Sequence, residues 1–294
     1  MSQPTSAASS PFATEDWDLV IHSDPGWFQL HLRDLWRYRD LLRMFVWRDF
    51  VAVYKQTILG PIWFFIQPLL TTATFTIIFS GVAKLPTDGL PPLLFYFAGT
   101  APWNYFAAAV TKTSATFTSN SNLFGKIYFP RLISPLSVVI STLVQFGIQF
   151  LLLFGIMGWY LFKGAAIHPN WGGIVVMTPL LIALLAGLGL GVGIIVSSLT
   201  TKYRDLSFLV TFGVQLAMYA TPVVYPLSMV PEKYRHWLEL NPMTSIIEAF
   251  RAVYLGVGSF SWGALGYSTA FVMVVLFCGV LIFNRVEKSF MDTV

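Results

Sequence analysis

Long uncharged stretches alternate with short charged ones along this chain of 294 residues. A helix needs about twenty apolar residues to cross the hydrocarbon core of a bilayer, and six of the uncharged stretches are long enough. The predicted membrane-spanning helices cover approximately 59–82, 92–115, 134–162, 172–199, 206–226 and 263–283. The pattern therefore predicts an all-α integral membrane protein with six spans, whose two termini lie on the same side.

The overall composition and the positions of the basic residues support this picture. Only 11% of the residues are charged, compared with about a quarter in a soluble domain, so lipid is the expected solvent. Thirteen of the 18 Lys and Arg residues flank the spans on the side of the termini. Because cytoplasmic loops carry the excess of basic residues, we predict that both termini are cytoplasmic. The same bias explains the net charge of +4, and no nucleic-acid partner is expected.

A charged segment with helical periodicity precedes the first span, at residues 27–56. It carries too many charges to cross the bilayer, so we predict an amphipathic helix on the inner membrane surface. A simple topology anchor is the alternative. The arginines expected to face lipid phosphates are Arg33, Arg37, Arg43 and Arg48. Residues 1–26 are interpreted as a polar cytoplasmic tail without a cleaved signal peptide.

The fifth predicted span ends in two prolines, Pro222 and Pro226, where it is expected to reach the outer face. Semi-polar residues follow, with Pro231 suited to the first turn of one short helix and Asn241-Pro242 to the start of another. We predict two short re-entrant helices that form an outer gate, because irregular backbone at membrane depth has to be covered. A loop lying on the bilayer surface is the alternative. The candidate gate residues are Pro222, Tyr225, Pro226, Tyr234, Trp237, Asn241 and Pro242.

The cytoplasmic loop between the second and third spans reads TSNSNLFGKIYFPRLISP. Ser119, Asn120 or Ser121 can cap a short helix that ends at Tyr128, before Pro130. Such a helix suits a groove on a cytoplasmic partner; a plain connection with its aromatic rings packed on the bundle is equally compatible with the residues. The predicted contact residues are Asn122, Leu123, Phe124, Gly125, Lys126, Ile127 and Tyr128.

Motifs for catalysis, nucleotide binding and metal binding are missing from the sequence. Gly125-Lys126 lacks the earlier glycine and the following Ser or Thr of a phosphate-binding loop. The predicted spans hold almost no ionisable residue, whereas ion-driven transporters usually carry carboxylates or histidines at membrane depth. We expect no enzyme activity, no metal and no cofactor in this chain, and any energy for transport would come from another polypeptide.

Aromatic residues make up 16% of the chain, and many lie in the predicted spans. Sugars present C–H faces that stack on such rings, so an aromatic channel would let a glycan slide. Ordinary packing and interfacial belts explain most individual rings. The candidate channel residues are Trp63, Phe64, Phe75, Phe97, Trp103 and Tyr105.

Several stretches together carry a family resemblance. They are WRDFVAVYKQTILGPIWFFIQPLL (47–70), FGKIYFPRLISPLSVVIS (124–141), and YRDLSFLVTFGVQLAMYATPVVYPLSMVP with LNPMTSIIEAFRAVYLG (203–231 and 240–256). In this order they resemble the transmembrane subunit of ABC-2-type polysaccharide exporters, above all O-antigen export permeases.

The resemblance implies a homodimer of six-span subunits, paired with two copies of a separate ABC ATPase that binds ATP and Mg²⁺. It also implies a glycan linked to undecaprenyl diphosphate, moved from cytoplasm to periplasm across the bacterial inner membrane through a channel at the dimer interface. Residues 27–56 then form the interface helix, 121–128 the coupling helix seated in the ATPase, and 227–256 the gate helices. The transmembrane domain covers 57–284, and 285–294 form a cytoplasmic tail.

Other functions remain open at this point. Export of capsule or teichoic acid belongs to the same family, and the glycan is not readable from the residues. A membrane glycosyltransferase or polymerase would need acidic residues on the outer side, where the only glutamates are Glu232, Glu239 and Glu248. A multidrug-type ABC permease shares the architecture, but the aromatic content and the matched stretches disfavour it.

Overall fold

The computed structural model describes residues 32–55, 57–120, 129–200, 203 and 205–289. Within these ranges the regular elements are all helical. The α-helices are α1 (Leu32–Arg37), α2 (Arg39–Tyr54), α3 (Trp63–Phe75), α4 (Pro92–Ser114), α5 (Thr116–Ser119), α6 (Ile133–Phe162), α7 (Trp171–Thr200), α8 (Leu206–Tyr219), α9 (Glu232–Glu239), α10 (Pro242–Leu255) and α11 (Trp262–Ser289). The predicted all-α class is confirmed for the part of the chain that the structure describes.

Helices occupy all six predicted spans, but only four are both long and apolar enough to cross a membrane. These four are Gly60–Val82, Ile133–Phe162, Trp171–Thr200 and Trp262–Val286. The first of them contains α3 and continues as a π-helix over Thr76–Val82. Helix α4 has 23 residues, most of them buried inside the protein, and α8 has 14 residues. Membrane crossing by α4 and α8 therefore stays a prediction.

The fifth predicted span ends earlier in the structure than its uncharged sequence suggested. Helix α8 stops at Tyr219, and the chain turns through residues 220–226 without helical structure. Pro222 explains the stop, because its ring would clash with the carbonyl one turn earlier and because the residue before a proline avoids helical backbone angles. At 1.5 Å per residue α8 is about 21 Å long, shorter than the roughly 30 Å bilayer core.

Helix α4 lies at the centre of the bundle and packs against α3, α6, α7, α8 and α10. Helix α7 is sandwiched between α4 and α11 through the glycines of its GLGLGVG run. A Cβ on Gly189 would lie 2.7 Å from Ala109 Cβ on α4, and one on Gly191 would lie 2.9 Å from Val275 Cγ1 on α11. Glycines on two faces of one helix thus permit close packing on both sides, as small residues commonly do in membranes.

The connections between helices gather at two opposite ends of the bundle. One end carries α2, α5 and the end of α7, and we call it the coupling end after the coupling helix that the sequence predicts there; in it Thr200 Oγ1 donates to Ser114 O at 2.9 Å. At the gate end, which comprises residues 83–91, 163–170 and 220–261, Ser228 Oγ donates to Asp88 Oδ1 at 2.7 Å. Loops that are distant in sequence are therefore tied together by hydrogen bonds.

The predicted N-terminal interface helix is divided in two, α1 and α2, with Tyr38 between them. Its first five predicted residues, 27–31, and the tail 1–26 lie outside the described residues. Helix α2 packs along α6 and buries Phe45, while Met44 and Trp47 are 67% and 66% exposed. One apolar face thus meets the bundle and another is left open, as expected for a helix on a membrane surface. At the other terminus α11 continues to Ser289, into the predicted tail.

Candidate functional site

The second predicted gate helix begins as its sequence indicates. Asn241 is the N-cap residue of α10 and its Oδ1 accepts a hydrogen bond from Met243 N at 3.0 Å, with Pro242 in the first turn. Gly256 ends the helix with φ 76°, the left-handed conformation that glycine adopts without strain. The local prediction at Asn241-Pro242 is confirmed. Pro231 lies one position earlier than predicted, as the residue that precedes α9.

The two predicted gate helices have different environments. Eleven of the 14 residues of α10 are buried. Helix α9 has no buried residue, and its Tyr234 and Trp237 are 55% and 71% exposed. In this chain α10 is therefore part of the core, and α9 is peripheral, with the exposure expected of the surface-loop alternative.

The buried face of α10 carries a charged residue, Arg251, that is 1% exposed. Its Nη1 donates to Pro222 O at 2.7 Å and its Nη2 to Val223 O at 2.6 Å. Nη1 also lies 3.2 Å from Glu248 Oε1, and the guanidinium carbon lies 3.9 Å from the ring centroid of Phe95. Arg251 therefore holds the non-helical segment that follows α8.

These contacts have a clear physical cause. Where α8 stops, backbone carbonyls lose their helical partners, and a buried carbonyl without a partner is costly. Arginine carries five N–H donors and stays charged, which suits it to bind several carbonyls at once. Burial lowers the pKa of Arg251, and the neighbouring Glu248 carboxylate opposes that shift.

Glu248 extends the network to the loop before α11. Its Oε2 accepts hydrogen bonds from Ser259 N at 2.9 Å and Ser259 Oγ at 3.3 Å. We call Pro222, Val223, Glu248, Arg251 and Ser259 the Arg251 cluster. Together they join the end of α8, helix α10 and the loop that leads into α11, so the gate end behaves as one connected unit.

The structure brings five of the seven predicted gate residues together around this cluster. Pro222 and Pro226 are buried and Tyr225 is half-buried, with its hydroxyl donating to Tyr219 O at 3.1 Å. Asn241 Nδ2 donates to Thr221 Oγ1 at 2.8 Å. Of these five, Pro222 and Tyr225 contact Arg251 through their carbonyls, and Asn241 contacts the neighbouring Thr221; Pro226 and Pro242 directly follow Tyr225 and Asn241, whereas Tyr234 and Trp237 lie on the exposed α9.

Sequence reasoning missed the central pair of this site. Arg251 counted only as a charge on the outer side, and Glu248 only as a candidate catalytic acid. The available signal was the stretch IIEAFRAVYL, in which Glu and Arg stand three residues apart on a helix among apolar residues. Charged residues are rarely buried unless paired, so this spacing indicates a buried ion pair. Both Glu248 oxygens are now engaged, which weakens its candidacy as a catalytic acid.

The comparison with known families decides what kind of protein carries this site. The ABC-2 type transporter family matches residues 40–255, from α2 to the end of α10. This chain belongs to the ABC-2 type transporter family. The resemblance inferred from the sequence is confirmed, and the family region includes most of the Arg251 cluster.

Individual relatives of this ABC-2 chain cover most of its length. An O-antigen export system permease protein RfbA from Klebsiella pneumoniae is 30% identical over 255 residues, which is 86% of this chain and 94% of the relative. A protein of the same name from Myxococcus xanthus is 30% identical over 227 residues, 76% of this chain and 83% of the relative. The polysialic acid transport protein KpsM of Escherichia coli is 23% identical over 241 residues, 80% of this chain and 89% of the relative.

The coupling helix predicted for this ABC-2 chain, residues 121–128, lies outside the described residues, and its contacts stay a prediction. Both flanking segments are anchored. Phe117 is buried and stacks on Phe283 of α11, with ring centroids 4.8 Å apart, and Phe129 is buried edge-on against Phe45 of α2 at 5.6 Å. Asn120 Nδ2 donates to Ser134 Oγ at 3.1 Å and closes the base of the loop.

The arginines predicted to face lipid phosphates lie on α1 and α2. Arg43 pairs with Asp40 at 3.3 Å and is largely exposed, and Arg48 pairs with Asp49 at 2.8 Å. Arg37 is exposed; the side chain of Arg33 is outside the described part. Exposed pairs of this kind contribute little stability, and contact with lipid stays a prediction for these four residues.

The candidate channel aromatics divide into two groups. Most of them are buried inside the single chain, at 7% exposure or less: Phe64, Phe97, Trp103 and Tyr105. Phe64 stacks on Phe50 at 5.6 Å, so packing, the ordinary explanation, accounts for this group. Trp63 is 43% exposed and Phe75 is half-buried, and these two stay candidates for a transport path.

Gly99 on α4 is a position where the Arg251 cluster leaves no room for a side chain. A Cβ there would lie 2.6 Å from Val223 O and 2.8 Å from Arg251 Nη2. We expect Gly99→Ala to destabilise the protein by about 1–3 kcal/mol, the usual cost of overpacking a core, measured as the midpoint of unfolding in detergent.

Gly147 on α6 is the matched control for this prediction. It is also a glycine inside a candidate span, but a Cβ there meets nothing within 4 Å. Gly147→Ala should leave the midpoint unchanged or raise it, because alanine is the better helix former by roughly 0.5–1 kcal/mol. Equal midpoints for the two variants would contradict the close approach of Val223 to α4.

Proposed function

We propose that this chain is the channel-forming membrane subunit of an ATP-driven exporter that moves a lipid-linked polysaccharide of the O-antigen type from the cytoplasm to the periplasm. The observation that carries the proposal is the family match, together with relatives named O-antigen export permeases that align with up to 86% of the chain. The sequence has no phosphate-binding loop motif. We therefore propose that a second polypeptide supplies the energy for export.

The proposed assembly is a homodimer bound to two copies of a separate ABC ATPase, which supplies the sites for ATP and Mg²⁺. Helix α8 supports a partner chain in the membrane, because none of its 14 residues is buried. Its Phe208, Leu209 and Phe212 are 79%, 61% and 59% exposed. A second copy facing α8 would enclose a path between the two subunits.

The gate end supports a closure on the periplasmic side. Non-helical backbone at membrane depth is tolerated only where protein or an aqueous cavity surrounds it. Residues 221–224 and 226 meet this condition through burial, and the carbonyls of Pro222 and Val223 meet it through Arg251. In the proposed exporter, α10 and this segment form the fixed part of the outer gate, and the coupling end faces the ATPase.

The test is to co-express the chain with the ABC ATPase encoded beside it and to purify the complex through a tag on the membrane subunit. We expect both proteins to co-purify and the ATP turnover of the ATPase to change on assembly. An ABC ATPase from an unrelated importer, expressed in the same way, is the control. A membrane protein that forms dimers but binds no ATPase would overturn the proposal.

Export of a capsular polysaccharide is the second candidate, favoured by the 23% identity to a polysialic acid transport protein. The sialic acid units named in that relative carry carboxylates, so the charge of the glycan is the property to vary. Vesicles that contain the assembled complex and import radiolabelled lipid-linked glycans of either charge would discriminate the two. Transport of the acidic glycan alone would favour the second candidate.

The proposed orientation can be tested by cysteine labelling. Cys278 is exposed, so Cys278→Ser provides the background. A cysteine at position 236 on α9 should react with a membrane-impermeant maleimide in intact spheroplasts, because the gate end is proposed to be periplasmic. A cysteine at position 126 should react only after permeabilisation. If position 126 reacts in intact spheroplasts and position 236 does not, the chain has the opposite orientation in the membrane.

A further inference from the structure

A cavity of about 340 Å³ opens at the gate end, where α9, α10 and the start of α11 meet. Its volume lies within the range of roughly 300–1,000 Å³ that is usual for ligand pockets. The lining combines apolar side chains with carboxylates, hydroxyls, an imidazole and a phenol ring. The polar lining residues include His236, Glu239, Thr244, Glu248, Ser261 and Tyr267, together with two further serines.

Some of these polar groups have no partner in the part of the chain that the structure describes. Thr244 is 1% exposed, and its Oγ1 is buried without a hydrogen bond. A buried hydroxyl without a partner costs about 1–3 kcal/mol, so a ligand that binds it would recover that energy. Glu239 forms no ion pair or hydrogen bond with the described residues, which leaves a carboxylate at the rim.

Other lining groups are held in place by their own hydrogen bonds. The Tyr267 hydroxyl donates to Leu240 O at 3.1 Å, while the residue remains 41% exposed. Glu248 is fixed by Arg251 and Ser259. The cavity therefore has a fixed aromatic wall and a fixed carboxylate, with the unpaired Thr244 hydroxyl buried in its wall and the Glu239 carboxylate at its rim.

We propose that this cavity binds a pyranose unit of a neutral glycan at the exit side of the transporter, an inference that rests on the proposed function. Sugar hydroxyls both donate and accept, so they match an acceptor carboxylate and a threonine hydroxyl. The C–H face of the sugar packs on the Tyr267 ring, as apolar surfaces do on aromatic faces.

The charge of the cavity selects against acidic ligands. Two carboxylates, Glu239 and Glu248, line it, and the adjacent cation Arg251 is already engaged by two carbonyls and Glu248. An ammonium group would use Glu239 and the ring of Tyr267, but it would leave the Thr244 hydroxyl without an acceptor to donate to. A neutral polyhydroxy ligand satisfies all three groups.

The experiment uses the full chain in lipid nanodiscs without an ATPase. Saturation-transfer NMR measures binding of methyl glycosides of neutral hexoses, of a methyl sialoside and of phosphoethanolamine. We expect the neutral glycosides alone to bind. Glu239→Gln should raise their Kd about tenfold, because it removes a charge-assisted hydrogen bond, and Thr244→Val should weaken binding to a similar extent. Glu232→Gln, on the same helix but outside the cavity, should leave Kd unchanged.

Three results would overturn the inference. They are neutral-glycoside binding that survives both cavity variants, binding of phosphoethanolamine or sialoside in place of neutral sugars, and no binding at all. Glu239 is exposed, so Glu239→Gln decides the outcome even where Thr244→Val fails to fold. No ATPase is present in this binding experiment. If the chain failed to assemble with an ABC ATPase in the co-purification test, the proposed function would be refuted, but the measured sugar binding would not change.

Discussion

Arg251→Met should lower the stability of the protein by about 3–5 kcal/mol, the usual effect of removing one partner of a buried ion pair. The substitution leaves Glu248 as an unpaired buried carboxylate and removes the donors that bind the carbonyls of Pro222 and Val223. The expected result is a large drop in the midpoint of denaturant-induced unfolding in detergent, with a lower yield of monodisperse protein. The segment between α8 and α9 should become accessible to protease.

Two further variants show whether the expected loss of stability comes from breaking the ion pair or from removing a positive charge in general. Lys233→Met, on the exposed helix α9, should change the midpoint little. Arg251→Met combined with Glu248→Leu should recover part of the loss, because apolar residues of similar volume often replace a buried pair without cost. An Arg251→Met protein as stable as the unmodified chain would contradict the burial of this cluster.

Phe124→Ala combined with Tyr128→Ala should separate ATP hydrolysis from export in the assembled complex. Aromatic anchors in an interface groove often contribute about 2 kcal/mol or more each, so export is expected to fall at least roughly tenfold. The flanking residues Phe117 and Phe129 hold both ends of the predicted coupling helix in the bundle. Movement of this segment would therefore be transmitted to α2 and α11. The measurement compares ATP turnover with glycan export in the same vesicles.

Phe162→Ala is the matched control, because this phenylalanine is 89% exposed and lies at the gate end. It should change neither the ATP turnover nor the export. If the Phe124→Ala/Tyr128→Ala double variant exports glycan at the unmodified level, the prediction that residues 121–128 form the coupling helix is wrong. If the double variant no longer binds the ATPase, the predicted contact between residues 121–128 and the ATPase would still be supported. That result would also show that the two aromatic rings stabilise the complex.

The Arg251 cluster also bears on how the exporter could open. Arg251, Glu248 and Ser259 join three segments of the gate end, so these segments are expected to move together. Helix α9 has no buried residue, whereas eleven of the 14 residues of α10 are buried. In the proposed exporter, opening would therefore displace α9 relative to a fixed α10.

Features that depend on neighbouring residues were predictable from the amino-acid sequence alone. Uncharged stretches predicted a helix in each of six places, because an apolar run that leaves water must satisfy its own backbone hydrogen bonds. Asn241-Pro242 determined the start of α10, since capping is a contact between residues two or three positions apart. The family resemblance also lay in contiguous stretches and was readable before any fold was known.

Which side chains are buried and which segments meet depends on the three-dimensional packing of the helices. Arg251 binds carbonyls 28 and 29 positions earlier in the chain, and no local pattern specifies that contact. Phe97, Trp103 and Tyr105 are buried because α4 is surrounded by other helices, whereas the sequence allowed them to line a path. Two similar short helices, α9 and α10, became peripheral and central for the same reason: burial depends on the helices that pack against a segment, and these are distant in the sequence.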